Sequence, residues 1–220
     1  MKKRLSKLFG KLSLSSTDQL VVAKPCLSPS AASPPSFTPS SSIQQIFAPF
    51  ERNPAKLWQE LGLNEDAVEV LFFLYLCKCQ SLLELSPSEF QLGMQRLQCK
   101  SLTELARELH KQFRELPSPQ FHELYSFCFQ ASREGTIKTV DKDTCVYLLP
   151  ILLASTTHFN RSKRFCEFLN QQNSVQHIKY DEWQSFLKFC EQVPELAKYD
   201  ANDSWPLMID EFVQWQVDVK

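Results

Sequence analysis

From residue 43 onward, apolar residues recur at the three- and four-residue spacing of amphipathic helices. Polar, proline-marked segments separate these stretches, and the pattern predicts about ten helices. The clearest start signals are the capping boxes Ser86-Pro-Ser-Glu89 and Ser101-Leu-Thr-Glu104. Asn64 is predicted to cap a long apolar helix that ends near Gln80, and the run from Asp141 to about Ser155 predicts a central helix. We therefore predict an all-α domain over residues 43–220.

Composition agrees with a helical chain, because glycine is scarce. There are 4 Gly in 220 residues, against 13 Pro and 17 Phe. The spacing of the glycines excludes the Gly-rich phosphate loops and the G-x-S-x-G elbow of hydrolases. It also leaves too little turn chemistry for a many-stranded sandwich or barrel.

Residues 1–42 differ from the rest of the chain. They hold six Lys or Arg residues against Asp18, and from Pro25 to Ser42 there are 7 Ser, 5 Pro and no charge. Such a segment buries too little apolar surface to offset its ordering entropy, so we predict a flexible basic arm. Leu5–Leu14 is compatible with a short amphipathic helix at a membrane surface, but a solvated tail fits its length better. The arm predicts a nuclear and cytoplasmic location, with an organelle transit peptide as the alternative.

The body over residues 43–220 is acidic, with 18 basic and 24 acidic residues. This balance disfavours nucleic acid as a partner, because phosphate binding needs clustered Lys and Arg. It suits a basic protein partner instead. No apolar stretch reaches the length of a membrane span.

The cysteines and histidines predict neither metal nor cofactor. Cys77-x-Cys79 is the only close pair, and no second pair completes a zinc site. Because most cysteines lie in apolar helical patterns, we predict reduced core thiols. An alternative that sequence leaves open is a hydrolase with a Cys–His pair that meets in space. The residues concerned are Cys77, Cys79, Cys128, Cys145, Cys166 and Cys190, with His110, His122, His158 and His177.

Two segments share the spacing of the last positions of an EF-hand loop, an apolar strand residue followed by Glu and an aromatic residue. They are Leu85-x-x-x-Glu89-Phe90 and Ile178-x-x-x-Glu182-Trp183. The positions that would ligate Ca²⁺ or hold the loop glycine carry unsuitable residues, so we predict degenerate EF-hand-like helix pairs that bind no calcium. These residues are Lys78, Gln80, Leu82 and Leu83 in the first loop, and Gln171, Asn173, Val175 and Gln176 in the second.

The C-terminal segment carries a longer motif. Tyr199-Asp-x-x-x-Ser-Trp-Pro-Leu-Met-Ile-Asp-Glu-Phe-Val213 resembles the terminal signature of the defective-in-cullin-neddylation family. Other segments match in the same order, and the resemblance covers about residues 43–220, essentially the whole potentiating-neddylation domain. These segments are Val70–Leu74, Leu85–Phe90 with Gly93-Met94, Phe121–Phe129 and Lys179–Trp183.

The resemblance implies a monomeric co-ligase without catalytic residues of its own, which promotes transfer of a ubiquitin-like modifier to a cullin. Its partners would be the cullin C-terminal domain and a conjugating enzyme with an acetylated N-terminus. In the family, an Asp–Ala–Asp patch binds the cullin. The matching residues in this chain are Asp181, Ser204 and Asp210, with Glu211 beside them. Ser204 departs from the family pattern. We expect the two aspartates to engage a Lys or Arg of the cullin.

The family also has an apolar pocket for the acetylated N-terminal Met of the conjugating enzyme. A free ammonium could not enter such a pocket unpaired. Leu82 stands where a polar residue is expected, and Pro150 where Leu is usual. With Ser204, these departures favour the alternative of an inhibitory member that binds a cullin without activating transfer. The pocket residues by position are Val70, Leu71, Phe73, Leu74, Leu82, Leu85 and Tyr147.

Overall fold

The computed structural model describes residues 41–219, with side chains from residue 43 onward. Residues 1–40 of the predicted arm over residues 1–42, including the amphipathic stretch Leu5–Leu14, lie outside the described part, so the arm and the location inferred from it stay predictions. Ser41 and Ser42, the last residues of that arm, are helical. The described α-helices are α1 (Ser41–Phe47), α2 (Ala55–Glu60), α3 (Val68–Cys77), α4 (Pro87–Arg96), α5 (Leu102–Arg114), α6 (Ser118–Ala131), α7 (Lys142–Leu152), α8 (Phe159–Gln171), α9 (Tyr180–Gln192) and α10 (Leu207–Asp218). The remaining elements are the strands β1 (Thr139–Asp141) and β2 (His177–Lys179) and the 3-10 turns Ala48–Phe50 and Leu196–Lys198.

The all-α class is confirmed, since helices make up most of the described chain. Helix α3 is shorter than predicted. It starts after Ala67, which is extended, so the prediction that Asn64 caps this helix is wrong. It ends at Lys78, whose φ of 55° places it in the left-handed region. A left-handed residue stops the helical hydrogen-bond ladder, so the helix does not continue to Gln80.

The helix-start signals are confirmed to different extents. In α4 the capping box is complete: the Ser86 N–H donates to Glu89 Oε2 (2.8 Å), and the Glu89 N–H donates to Ser86 Oγ (3.3 Å). In α5 the Ser101 hydroxyl accepts the Glu104 N–H (3.2 Å). The Glu104 carboxylate, however, accepts the Lys100 N–H (2.7 Å) rather than that of Ser101. The second predicted box is therefore half formed.

The described strands form one antiparallel pair, in which Val140 faces Ile178. Both side chains are buried, so the pair joins the start of α7 to the start of α9 through the core. Ile178 lies in a strand as predicted, and α8–β2–α9 is a helix–strand–helix unit. The strand partner Thr139–Asp141 was missed, because a three-residue strand leaves no periodic signal.

The strand predicted around Leu85 is wrong. Residues 78–86 form a loop, in which the Leu82 N–H donates to the Ala131 carbonyl (3.2 Å) at the end of α6. Ile178 already pairs with Val140, so no strand edge lies opposite Leu85. The shared Glu spacing has a local cause, because Glu89 and Glu182 each accept the N–H that precedes their own helix, the latter from Lys179 at 2.8 Å. Both carboxylates stabilise helix starts.

The core is built around α3, which packs against α4, α5, α6 and α7. Seven of the ten residues of α3 are buried, as expected of a helix that is apolar on all sides. The predicted central helix, α7, packs on α3, α8 and both strands. None of the described helices is long and apolar enough to cross a membrane.

Candidate protein-binding surface

The C-terminal helix α10 is anchored by one aromatic side chain. Phe212 is fully buried and meets Phe165, Phe186 and Phe189, with ring centroids 5.0, 6.3 and 6.1 Å away. Phe186 and Phe189 belong to α9, and Phe165 belongs to α8. Because edge-to-face aromatic contacts constrain orientation as well as distance, this cluster fixes which side of α10 faces outward.

The connection between α9 and α10 is held by Arg161 of α8. Its guanidinium donates to the carbonyl oxygens of Val193 and Pro194, the latter at 2.8 Å. The same group lies over the Phe189 ring at 5.0 Å. A charged donor on two successive carbonyls replaces the hydrogen bonds that the end of α9 lacks. The start of the loop over residues 193–206 is therefore anchored to α8.

Asp210, in the first turn of α10, is held by that loop. The Tyr199 hydroxyl donates a hydrogen bond to Asp210 Oδ1. The Tyr199 ring packs edge-on against Phe189 (6.0 Å) and beside Trp205 (6.4 Å). Nearby, two bonds from Asn202, from its N–H and its amide, lower the pKa of the exposed Asp200 carboxyl. The loop thus gathers acidic groups at the start of α10.

The outer face of α10 combines charge with apolar surface. Ile209 and Phe212 face the core, and Glu211 is exposed. Leu207 is 71% exposed. It lies three and four residues before Asp210 and Glu211, a spacing that puts all three on one helix face. An apolar side chain beside two carboxylates suits a basic partner that also offers an apolar contact.

Asp181 lies at the other end of α9, in its first turn, with Lys179 at the capping position. It is exposed and about 12 Å along the helix from Phe189, at about 1.5 Å per residue. No hydrogen bond or ion pair within residues 43–219 joins it to Ser204 or Asp210. Lys188, seven residues on, shares its helix face and lies over the Trp205 ring at 5.3 Å. The Lys188 ammonium group thus lies on the face of α9 that runs from Asp181 towards Asp210.

Ser204 is exposed in the loop, directly before Trp205. Ser204 does not cap α10, because Pro206 holds the capping position and makes no side-chain bond. The Trp205 indole N–H is buried without an acceptor among the described residues. Sequence reasoning took Trp205 only as part of a motif and gave no role to Tyr199, Lys188 or Leu207. Tyr199 and Lys188 act through contacts made in space, for which the sequence carries no local signal. The spacing of Leu207 from Asp210 and Glu211, by contrast, is a helical signal that the sequence does carry.

The residues predicted to bind the conjugating-enzyme peptide lie on α3, α7 and the loop between α3 and α4. They belong to one apolar cluster, in which Leu82 and Tyr147 are partly exposed and the other five are buried. The Tyr147 hydroxyl donates to Asp66 Oδ1 (2.5 Å), and burial together with this carboxylate raises the pKa of Tyr147. The arrangement stays a predicted pocket. The five buried residues are Val70, Leu71, Phe73, Leu74 and Leu85.

The thiols of the described residues are free and buried, which confirms the predicted reduced core cysteines. Burial raises the pKa of Cys99 to about 11 and those of Cys166 and Cys190 to about 12, so the nucleophilic thiolate is scarce at neutral pH. Three histidines pair with carboxylates instead of thiols, namely His110 with Glu69, His122 with Glu191 and His177 with Asp141. These contacts disfavour the cysteine-hydrolase alternative. No group of His, Cys, Asp or Glu side chains in residues 43–219 could hold a metal ion.

Comparison with known proteins identifies the family. A family described as cullin binding matches residues 98–215, which is more than half of the chain. The chain belongs to the cullin-binding family. The matched segment contains the surface of α9 and α10, including Asp181, Ser204, Asp210 and Glu211. Most of the predicted pocket precedes it.

Curated relatives carry a common name. The chain is 32% identical over 165 residues to DCN1-like protein 2 of Dictyostelium discoideum, covering 73% of this chain and 60% of the relative. It is 27% identical to human DCN1-like protein 5, covering 73% and 68% of the two chains. For zebrafish DCN1-like protein 4 the identity is 28%, covering 74% and 58%. The match thus spans about three fifths to two thirds of the length of these relatives.

Proposed function

We propose that this protein binds a cullin through the surface formed by α9 and α10, and that it promotes transfer of the ubiquitin-like modifier to that cullin. The observation that carries the proposal is the outward face of α10, where Asp210 and Glu211 lie beside the exposed Leu207 within the matched segment. A carboxylate that accepts hydrogen bonds from Lys or Arg forms a charge-assisted contact. Asp181 would make a second contact with the cullin at the far end of α9.

The proposed mechanism is positioning. A protein that holds the cullin and the charged conjugating enzyme together reduces the freedom of the donor thioester relative to the acceptor lysine. The buried, protonated thiols support a role in which this chain forms no covalent intermediate. The second partner would use the apolar cluster on α3 and α7, where Leu82 and Tyr147 reach the surface.

The test is reconstituted transfer to a cullin, with and without this protein. Asp181→Ala combined with Asp210→Ala should reduce stimulation by at least about tenfold, because two charge-assisted contacts are lost. Glu51→Ala combined with Glu60→Ala is the matched control, since it removes the same net charge from exposed positions that precede α3 in the chain. Stimulation that survives unchanged in the first double variant would contradict the assignment of this surface.

The same assay distinguishes the proposed function from the inhibitory alternative. Ser204 favours this alternative, because it is exposed on the proposed surface at a position where the family has Ala. Binding of a cullin with no stimulation of transfer would support an inhibitor. Failure to bind every cullin tested would contradict both functions.

A peptide with the sequence of the conjugating enzyme's N-terminus tests the predicted pocket. The acetylated peptide should bind at least about tenfold more tightly than the free amine, because an unpaired ammonium is costly to bury. Calorimetry measures the difference. Leu82→Asp should weaken binding of the acetylated peptide, because it places a charge beside the apolar pocket, whereas Asp181→Ala should leave that binding unchanged. Equal affinity of the two peptides would remove the pocket from the proposal.

A further inference from the structure

Asp210 differs from the other acidic residues of the proposed surface in having a side-chain donor of its own. The Tyr199 hydroxyl donates to its Oδ1 atom. Asp181 and Glu211 are exposed and accept no hydrogen bond from residues 43–219. A free surface carboxylate samples several rotamers, and a partner must then order it on binding. Asp210 is ordered before any partner arrives.

The tyrosine is itself fixed by the core. Its ring packs edge-on against Phe189, which is fully buried in α9, and beside Trp205. The 3-10 turn Leu196–Lys198 ends directly before it, and the Tyr199 N–H donates to the Leu196 carbonyl (3.0 Å). Ring and backbone are therefore both held. The position of the hydroxyl is set by α9, although its bond is made to α10.

The hydroxyl is a permanent donor at neutral pH. Burial raises the pKa of Tyr199 well above its ordinary value, and so do the neighbouring carboxylates of Asp210, Asp203 and Asp200. A protonated hydroxyl occupies one lone pair of one carboxylate oxygen. A carboxylate has about four acceptor sites, so Oδ2 stays available to a second donor.

We propose that Tyr199 is a positioning residue, which holds the Asp210 carboxylate so that its second oxygen meets a Lys or Arg of the cullin. This inference rests on the proposed function, because it names how one contact of that surface is prepared. Lys188 lies over the Trp205 ring at 5.3 Å. The Asp210 carboxylate accepts its hydrogen bond from Tyr199, so a basic side chain of the partner would be its second donor.

A double-mutant cycle tests the inference, with affinity for the cullin C-terminal domain measured by calorimetry. Asp210→Asn should weaken binding about tenfold, and Tyr199→Phe about threefold. The double variant should bind no more weakly than Asp210→Asn alone, because the hydroxyl acts only through the carboxylate. Tyr75→Phe is the matched control: it removes a hydroxyl that donates to Glu123 (2.6 Å) on α6, and it should leave affinity unchanged.

Asp210→Glu gives a second measurement that keeps the charge. It moves the carboxylate by one methylene past the Tyr199 hydroxyl, so affinity should fall about as far as in Tyr199→Phe. Thermal unfolding of each variant shows whether the fold is intact. Unchanged affinity in Asp210→Glu would overturn the positioning role while leaving the proposed function in place. The same holds if the double variant loses as much binding free energy as the two single variants together. Affinity unchanged in Asp210→Asn would overturn the contact itself.

Discussion

Replacing Trp183 by alanine should lower the free energy of unfolding by about 3–5 kcal/mol, the range for truncating a buried aromatic residue. Trp183 is 1% exposed, and its ring stacks on Tyr125 with centroids 4.6 Å apart. Each side chain also donates a hydrogen bond to the backbone of the other residue. The Trp183 indole N–H donates to the Tyr125 carbonyl (3.1 Å), and the Tyr125 hydroxyl donates to the Trp183 carbonyl (3.0 Å). One substitution therefore removes packing and a hydrogen bond between α6 and α9.

Chemical denaturation measures this loss. Trp183→Phe keeps an aromatic ring but removes the N–H donor, so it should cost distinctly less. The exposed Gln192→Ala, in the same helix, should change stability by less than about 0.5 kcal/mol. Equal stability of Trp183→Ala and Gln192→Ala would contradict the role assigned to this pair.

Gly93→Ala should also destabilise the protein, although alanine is the better helix former. A Cβ atom at Gly93 would lie 2.5 Å from Cys77 Sγ and 2.8 Å from Phe73 Cε2, which is too close for either contact. Overpacking costs up to about 3 kcal/mol, and it exceeds the gain in helix propensity of about 1 kcal/mol. The expected net loss of unfolding free energy is about 2 kcal/mol.

Gln95→Ala is the control for this substitution, because Gln95 is exposed in the same helix and should tolerate alanine. Combining Gly93→Ala with Cys77→Ala should cost less than the sum of the single changes, since the smaller side chain relieves the closer contact. Additive losses would show that the clash lies elsewhere. Because Phe73 belongs to the predicted pocket, Gly93→Ala should also weaken the acetylated peptide.

Helix starts were the local features that the sequence predicted best, but the pattern of one of them also led to a wrong strand prediction. Ser86 and Glu89 form the capping box that their spacing predicts. The spacing shared by Glu89 and Glu182 also predicts an EF-hand-like strand before each helix, yet only Ile178 lies in one. Both glutamates accept the N–H that precedes their own helix, so a capping contact was enough to produce the shared pattern. A cap is decided within four residues, whereas a strand needs a partner from elsewhere in the chain.

For the candidate surface too, the sequence supplied the positions of residues, and the structure supplied the contacts between them. Resemblance to a family supplied the positions Asp181, Ser204 and Asp210, and it could not show that Asp181 lies two helix turns from the aromatic cluster around Phe189. Nor could it show that Tyr199 bonds to Asp210, or that Lys188 lies over Trp205. These contacts depend on how α9, α10 and the loop between them pack.

The sequence by itself determined the helical class, the complete cap of α4, the buried reduced thiols and the family. These follow from apolar periodicity, from contacts within one helix turn or from a long motif. Only the tertiary structure decided the pairing of Val140 with Ile178, the reciprocal bonds of Tyr125 and Trp183 across 58 residues, and the ordering of one aspartate on the proposed surface. The physical reason is that such contacts join residues far apart along the chain, which meet only when whole helices pack together, and local patterns do not record that packing.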